Sequence, residues 1–386
     1  MLNFYTKYLF IVFWTLQVLE QTSLPFHFYS ILYLIIGLSL IYTFVLLLKN
    51  RSFFFNKSFL LVLIIIAIYA CYWILFDHSF FGIQYLFSKI AIFGMIMATI
   101  YFNYDYVEKR YPIIMLVIST LILVVGVLTN HDFGTRYSGP FDNTNSLGFL
   151  AVLAFSIALF YLKPGLKKTS LLIFFIALVL MSGSRNALGG LVLAYLLKDG
   201  FSYKKIAVIF MALVMMLGIN KITSSYGFTT GIDRLVSTSK KNDLLAGRDL
   251  EFKLGLLSIK EKPIEGHGLD HYAHLSDNIV MRSGILRVDN AFAANPHNSF
   301  LGNFIQLGVP FGMLLLLTLV YYIGKSIFFK PRNDLFLIML LYPFLSGLFE
   351  SHLFGINGYE GTTFWFALLF YQIYMTKYKK ERSSQP

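Results

Sequence analysis

The chain has 386 residues, of which 57% are hydrophobic, 18% aromatic and 13% charged, with a mean hydropathy of +0.66. Soluble domains carry about 25% charged residues, so this composition cannot solvate the surface that two or three soluble domains would need. The formal charge of +12 invites a nucleic-acid reading, which the placement of the charges along the chain argues against.

Apolar runs of about bilayer length recur from one end of the chain to the other. In chain order, spans are expected near residues 4–19, 29–48, 58–76, 85–102, 112–129, 146–162, 169–182, 187–197, 205–219, 297–323, 334–349 and 362–376. A span takes about 20 apolar residues, and in lipid each backbone polar group must be satisfied within its own segment, so these runs are expected to be helices. The ten-residue alternation of a membrane barrel is absent. The predicted fold is therefore all-α and polytopic, with about twelve membrane helices. No period of 20–50 residues repeats and no half-to-half symmetry is evident, which counts against the paired-repeat transporters.

Alternate connections differ sharply in charge. With the N-terminus inside, the inner loops and tails hold 19 of the 32 cations, and the short outer connections hold three, Lys89, Arg136 and Arg185. The other 10 lie in segment 220–296 beside nine acids. This is the positive-inside pattern. It predicts a plasma-membrane protein with both termini cytoplasmic and segment 220–296 outside, and it makes the basic charge a matter of orientation. The first apolar stretch has no small-residue cleavage site and is expected to remain as a helix. Cys71, the only cysteine, falls in a span and can form no intrachain disulfide.

Met181-Ser182-Gly183-Ser184-Arg185-Asn186 interrupts one apolar stretch, as a tight turn or a helix break near the outer surface. Composition changes at Asn220, and the 77 residues to Pro296 are too polar and too long to be an idle connection. Within them Arg248 to Lys262 reads as a short helix, with Leu250, Leu254 and Leu257 at helical spacing and acids before bases along its length. Its apolar stripe could rest on the bilayer or cap the bundle. Gly266 and Gly268 read as turn residues with positive φ.

Five groups could carry chemistry. Arg185 at a span end could be a snorkelling cation or a planar fork for phosphate oxygens. Arg248 could be a solvated loop charge. His297, where polar loop meets apolar helix, could accept a proton near neutral pH, although Pro296, Asn298 and Ser299 also read as a plain helix start. Phe141-Asp142-Asn143-Thr144-Asn145 could be an N-cap run, with Arg136 upstream. Glu350 could be a solvated interfacial acid or could orient a histidine or arginine. A rival set, His267, His271 and His274 with Asp270 and Asp277, has spacings that could bind a metal, but the flanking glycines disfavour a regular helix there.

Taken in order, Phe141–Asn145, Ser184-Arg185-Asn186-Ala187, Gly247-Arg248, Lys262–Gly268 and Pro296-His297-Asn298-Ser299-Phe300-Leu301 resemble the O-antigen ligase and polymerase superfamily of bacterial surface-polysaccharide synthesis. The similarity covers roughly residues 136–370. Asn186-Ala187 stands where many members have a glycine after the arginine. The resemblance implies a GT-C-like glycosyltransferase bundle acting outside the membrane on a glycan carried by undecaprenyl diphosphate. It implies diphosphate binding by Arg185 and Arg248, and catalysis by His297 with Glu350. Arg136, Asn143, Asn145 and His267 are further candidate substrate contacts. No metal or other cofactor is implied. The implied partners are the lipid-linked glycan, membrane lipid and other polysaccharide-assembly proteins, with no nucleic acid. The expected organisation is N-terminal helices over 1–135, a catalytic region over 136–377 and a cytoplasmic tail over 378–386. Capsule or exopolysaccharide repeat-unit polymerase is the leading reading. A ligase acting on a different acceptor comes next, and a flippase for the same lipid-linked sugars after it.

Overall fold

The computed structural model describes residues 2–25, 27–49, 59–130, 136–198, 200, 202–211, 214, 249–269, 297–356 and 358–383. These residues are helical, with no strand among them; Thr22 and Phe141 make an isolated antiparallel bridge. Helix α1 is Leu2–Glu20 and α2 is Tyr29–Lys49. Helix α3, Leu60–Tyr72, runs into a π-helical turn, Trp73–Asp77. Then come α4 (Phe80–Phe102), α5 (Tyr104–Thr129), α6 (Thr144–Tyr161), α7 (Leu166–Ser182) and α8 (Arg185–Leu197). Helix α9 (Asp249–Glu261) lies in the long polar segment, and α10 (Ser299–Phe328), α11 (Asp334–Ser346) and α12 (Tyr359–Ser383) complete the described chain. The span expected at 205–219 is described only at 205–211 and 214, all helical.

Six of these helices, α2 to α6 and α10, are long and apolar enough to cross a membrane, counting the π turn with α3. Helices α8 and α11 are apolar but have 13 residues each. At 1.5 Å per residue they reach about 20 Å, short of a 30 Å hydrocarbon core. The described residues are thus all-helical, and six helices able to cross a membrane fit a multi-pass membrane protein. Exposed apolar side chains recur down one stripe of α2 (Leu34, Ile41, Leu48) and another of α5 (Leu121, Val125, Leu128). Stripes of this kind would be a liability in water and are at home against acyl chains. Helix α6 is buried nearly all round, and its Gly148 and Gly190 of α8 are points of closest approach. A Cβ on Gly148 would lie 2.7 Å from the Ala187 methyl, and one on Gly190 would lie 2.5 Å from the Tyr342 ring.

The helix ends sort onto two faces. On one, Tyr111 Oη donates to Lys7 O, Tyr371 Oη donates to Asn333 O, and Lys377 pairs with Asp105 at 2.9 Å. On the other, Gln21 reaches Glu360, Asn145 reaches Glu350, and Leu269 N–H donates to Asp77. The first face carries the start of α1 and the lower part of α12, and Lys168 and Lys198 donate to Leu159 O there. Alternation of helix direction follows from the short connections.

Lys89 is not in an outer connection. Helix α4 begins at Phe80, capped by the Ser79 hydroxyl accepting from Gly82 N–H, five residues before the expected start. This places Lys89 inside the helix, 1% exposed. Its ammonium donates to Phe354 O at 2.7 Å and Gly355 O at 3.3 Å, over the Tyr85 and Trp365 rings. A charge in a span must find partners within the protein, and here it fastens the loop between α11 and α12.

Helix α10 is broken at Gly308 (φ 68°, ψ 172°), two residues before Pro310. Proline has no N–H for the carbonyl four residues back, so Gln306 O loses its helical donor, and the kink removes the Val309–Ile305 bond as well. Segment 263–268 replaces both. His267 N–H donates to Ile305 O (2.9 Å), Gly268 N–H to Gln306 O (3.2 Å), and Val309 N–H to Pro263 O (2.7 Å). The Tyr72 hydroxyl lies 2.5 Å from Gln306 O as well. Gly266 and Gly268 have φ of 65° and 105°, as their reading as turn residues requires. The expected helix over 248–262 is α9. It caps the bundle by packing on α10, where Gly255 meets Leu301 and Ile305 and Leu254 is buried.

Candidate active site

The turn at Gly183–Ser184 aims Arg185. Gly183 ends α7 in the left-handed conformation (φ 60°), and two residues suffice for the reversal. The Ser184 hydroxyl then accepts from Ala187 N–H to start α8. Arg185 is therefore the first residue of a helix, exposed at the helix N-terminus, where backbone N–H groups and the dipole also favour an anion.

The segment before α6 is held beside this turn. Tyr137 N–H donates to Met181 O at 3.1 Å, and the Tyr137 hydroxyl, its pKa pushed up by burial, lies 3.1 Å from Gly126 O. The N-cap of α6 is Asn143, accepting from Asn145 N–H at 2.9 Å. This leaves the Asn145 amide for other partners. It donates to Glu350 Oε1 at 2.7 Å and accepts from Arg136 Nη2 at 3.4 Å.

His297 is strapped to Glu350 by the start of α10. Asn298 caps that helix through Leu301 N–H, and its amide donates to Leu348 O. Ser299 N–H and hydroxyl both donate to Glu350 O, and the same hydroxyl accepts from Leu353 N–H. His297 itself has φ of 43°, a left-handed conformation uncommon for a side-chain-bearing residue, and such conformations cluster at functional sites. Its Nδ1 stands 3.9 Å from Glu350 Oε2. Arg136, Asn145, Glu350 and His297 thus form one continuous polar series.

Two adjoining cavities open on this series. The larger, about 700 Å³, has Arg136 and Arg185 at its polar end, with walls of Leu193, Leu196, Leu345, Leu348 and Phe349, and Phe252 from α9. The smaller, about 190 Å³, is lined by His297, Asn143, His352, Glu360 and Gln21 among others. Asn145, Asn186 and Glu350 border both. Residues 170–317 match the family model described as O-Antigen ligase. Over that stretch the chain is similar to the O-antigen ligase family. No curated protein matches the chain.

The match supports the resemblance that the motifs show. It spans less of the chain than the resemblance over 136–370. The matched stretch contains Arg185 and His297; Arg136, Asn143, Asn145 and Glu350 lie outside it yet border the same cavities. Arg248 lies outside the described residues, as do His271, His274, Asp270 and Asp277 of the rival metal set. Among the described residues no group of three or more metal-ligating side chains comes together. His267 borders neither cavity; its Nε2 is 3.0 Å from Ser258 O at the end of α9. Sequence reasoning missed Glu360, His352, Gln21 and Asn186. Glu360 had a signal, since it is an acid at the mouth of an apolar span, where ionisable residues are costly without a purpose. Gln21 had none.

Proposed function

We propose that the protein is a glycosyltransferase that polymerises glycan repeat units carried on undecaprenyl diphosphate, working at the outer face of the plasma membrane with both termini in the cytoplasm. The observation that carries this reading is the junction of a cation-tipped apolar cavity with a carboxylate–histidine pair, in a chain similar to the O-antigen ligase family over residues 170–317. Arg185, with Arg248, holds the diphosphate, and Arg136 adds positive charge at the same end. The apolar walls take the start of the polyprenyl chain.

In the reaction an acceptor hydroxyl oxygen attacks the anomeric carbon of the donor sugar as the bond from that carbon to the diphosphate oxygen breaks. The electron pair leaves with undecaprenyl diphosphate, and the hydroxyl proton passes to His297. Glu350 steadies the imidazolium, and Asn145 fixes Glu350. Negative charge grows on the leaving diphosphate, so cations in a low-dielectric site stabilise the transition state more than the ground state. The arginines do this without a divalent ion, so activity should persist in excess chelator. Loss in EDTA with return on zinc addition would point instead to the histidines of 267–274.

Ligation to a different acceptor is the second reading, and the description of the matched family favours it. Incubating the purified protein with lipid-linked repeat units alone separates the two. A ladder of products supports polymerisation; product formed only after a second acceptor is added supports ligation; and no transfer under either condition refutes the enzyme.

A further inference from the structure

The two cavities differ in charge as well as size. Both described arginines of the site border the larger one. Among the described residues, the smaller is lined by no lysine or arginine and by two carboxylates, Glu350 and Glu360. A diphosphate would be repelled there. Its volume of about 190 Å³ corresponds to roughly six waters at about 30 Å³ each, the scale of a sugar ring rather than a lipid chain.

Glu360 is 5% exposed, and both its oxygens accept hydrogen bonds. Oε2 accepts from Gln21 Nε2 at 2.9 Å and Oε1 from the Ser146 hydroxyl at 3.4 Å. A carboxylate has about four lone-pair sites, so capacity remains for hydroxyl donors. Among the described residues the buried Nε2 of His352 has no hydrogen-bond partner, a state that is costly unless something binds to it. Phe149, edge-on to His352, gives the cavity an apolar wall. Together these are acceptors and donors around a face that a pyranose, with hydroxyls on its rim and C–H groups on its faces, can satisfy.

We infer that the smaller cavity is the subsite for a non-anionic sugar ring, that of the acceptor bearing the attacking hydroxyl, with Glu360, His352 and Gln21 as binding residues. The inference rests on the glycosyltransferase reading for the word acceptor, but not for the binding of a sugar. It places the attacking hydroxyl next to His297, at the wall where Glu350 separates the acceptor from the diphosphate.

The test uses the full chain in nanodiscs and two probes. One is undecaprenyl diphosphate without glycan; the other is the soluble oligosaccharide released by mild acid from the lipid-linked pool of the producing cells. Binding of each is read by native mass spectrometry for the wild type and for Glu360→Gln, Gln21→Ala and Arg185→Ala. Glu360→Gln should weaken oligosaccharide binding about tenfold, the loss expected for a charge-assisted hydrogen bond. Gln21→Ala should act in the same direction, and both should leave undecaprenyl diphosphate binding within about twofold. Arg185→Ala should do the reverse. If Glu360→Gln aggregates, Gln21→Ala, at a half-exposed position, decides alone. The inference is overturned if the wild type does not bind the oligosaccharide, or if the folded variants bind it as the wild type does. Undecaprenyl diphosphate binding indifferent to Arg185, with oligosaccharide binding still dependent on Glu360, would remove the donor assignment and leave the sugar subsite standing.

Discussion

Two glycine-containing turns on the same face of the bundle put their polar groups to opposite uses. In Gly183–Ala187 the backbone needs are met locally: Gly183 ends one helix, Ser184 caps the next, and Arg185 borders the larger cavity. In Pro263–Gly268 the backbone is itself the active part, since Pro263 O, His267 N–H and Gly268 N–H take up the hydrogen bonds that α10 loses at Gly308 and Pro310. One turn delivers a charge to a ligand. The other repairs a broken membrane helix, and so fixes the upper part of α10, from which His297 is presented to Glu350.

The sharpest way to break this contrast is to exchange the consequences of mutation. Arg185→Ala should reduce transfer by about a hundredfold or more, the loss usual for a group that stabilises transition-state charge, while thermal unfolding in detergent is unchanged. A matching fall in unfolding temperature would make Arg185 a structural residue like those of the second turn. Gly266→Ala comes next and should do the opposite. Its φ of 65° costs a side-chain-bearing residue about 1–3 kcal/mol, and the new Cβ would sit 2.2 Å from Gln306 O. The folded yield and the unfolding temperature should fall, and residual activity per folded molecule should stay near that of the wild type.

How much of this was legible depends on the range of the interaction. The helices could be read because each is a local apolar run, and α9 because its apolar spacing and charge order lie within 13 residues. Arg185, Asn145, Glu350 and His297 could be nominated because each is a polar residue at a span end, and span ends on one side of a bilayer must be neighbours. The break in α10 could not be read, although Gly308 and Pro310 were visible, because a proline in a membrane helix is tolerated whenever some distant group repairs it, and only the fold identifies segment 263–268 as that group. Glu360 with Gln21 is the same problem at greater length. The two lie 339 residues apart, and no local pattern says which rotation about α1 and α12 brings them together. Lys89 is a related case: it falls within the span expected at 85–102 yet reads as an outer cation, and only the fold supplies the carbonyls of Phe354 and Gly355 that make its burial acceptable.

Smaller effects sharpen the contrast further. Tyr72→Phe removes the hydroxyl that reaches Gln306 O and accepts from Gly268 N–H. It should cost about 1–2 kcal/mol of stability, measured as a fall in unfolding temperature, with the affinity for lipid-linked substrate unchanged. A loss of substrate affinity without loss of stability would place the upper part of α3 against the glycan.

His267→Ala should have the smallest effect, and it tests the division most directly, because His267 stands in the repairing turn while histidine is the residue type expected at the site. Its backbone N–H, which holds Ile305 O, survives the substitution; only the ring contact to Ser258 O at 3.0 Å is lost. That contact ties the turn to the end of α9, and a neutral hydrogen bond of this kind contributes about 1 kcal/mol. The expected outcome is a slight fall in unfolding temperature and activity within about twofold of the wild type, against near-complete loss for His297→Ala. If His267→Ala instead lost most of its activity at unchanged stability, the imidazole would be meeting substrate. The repairing turn would then belong to the active site after all, and the separation of the two turns by purpose would fail.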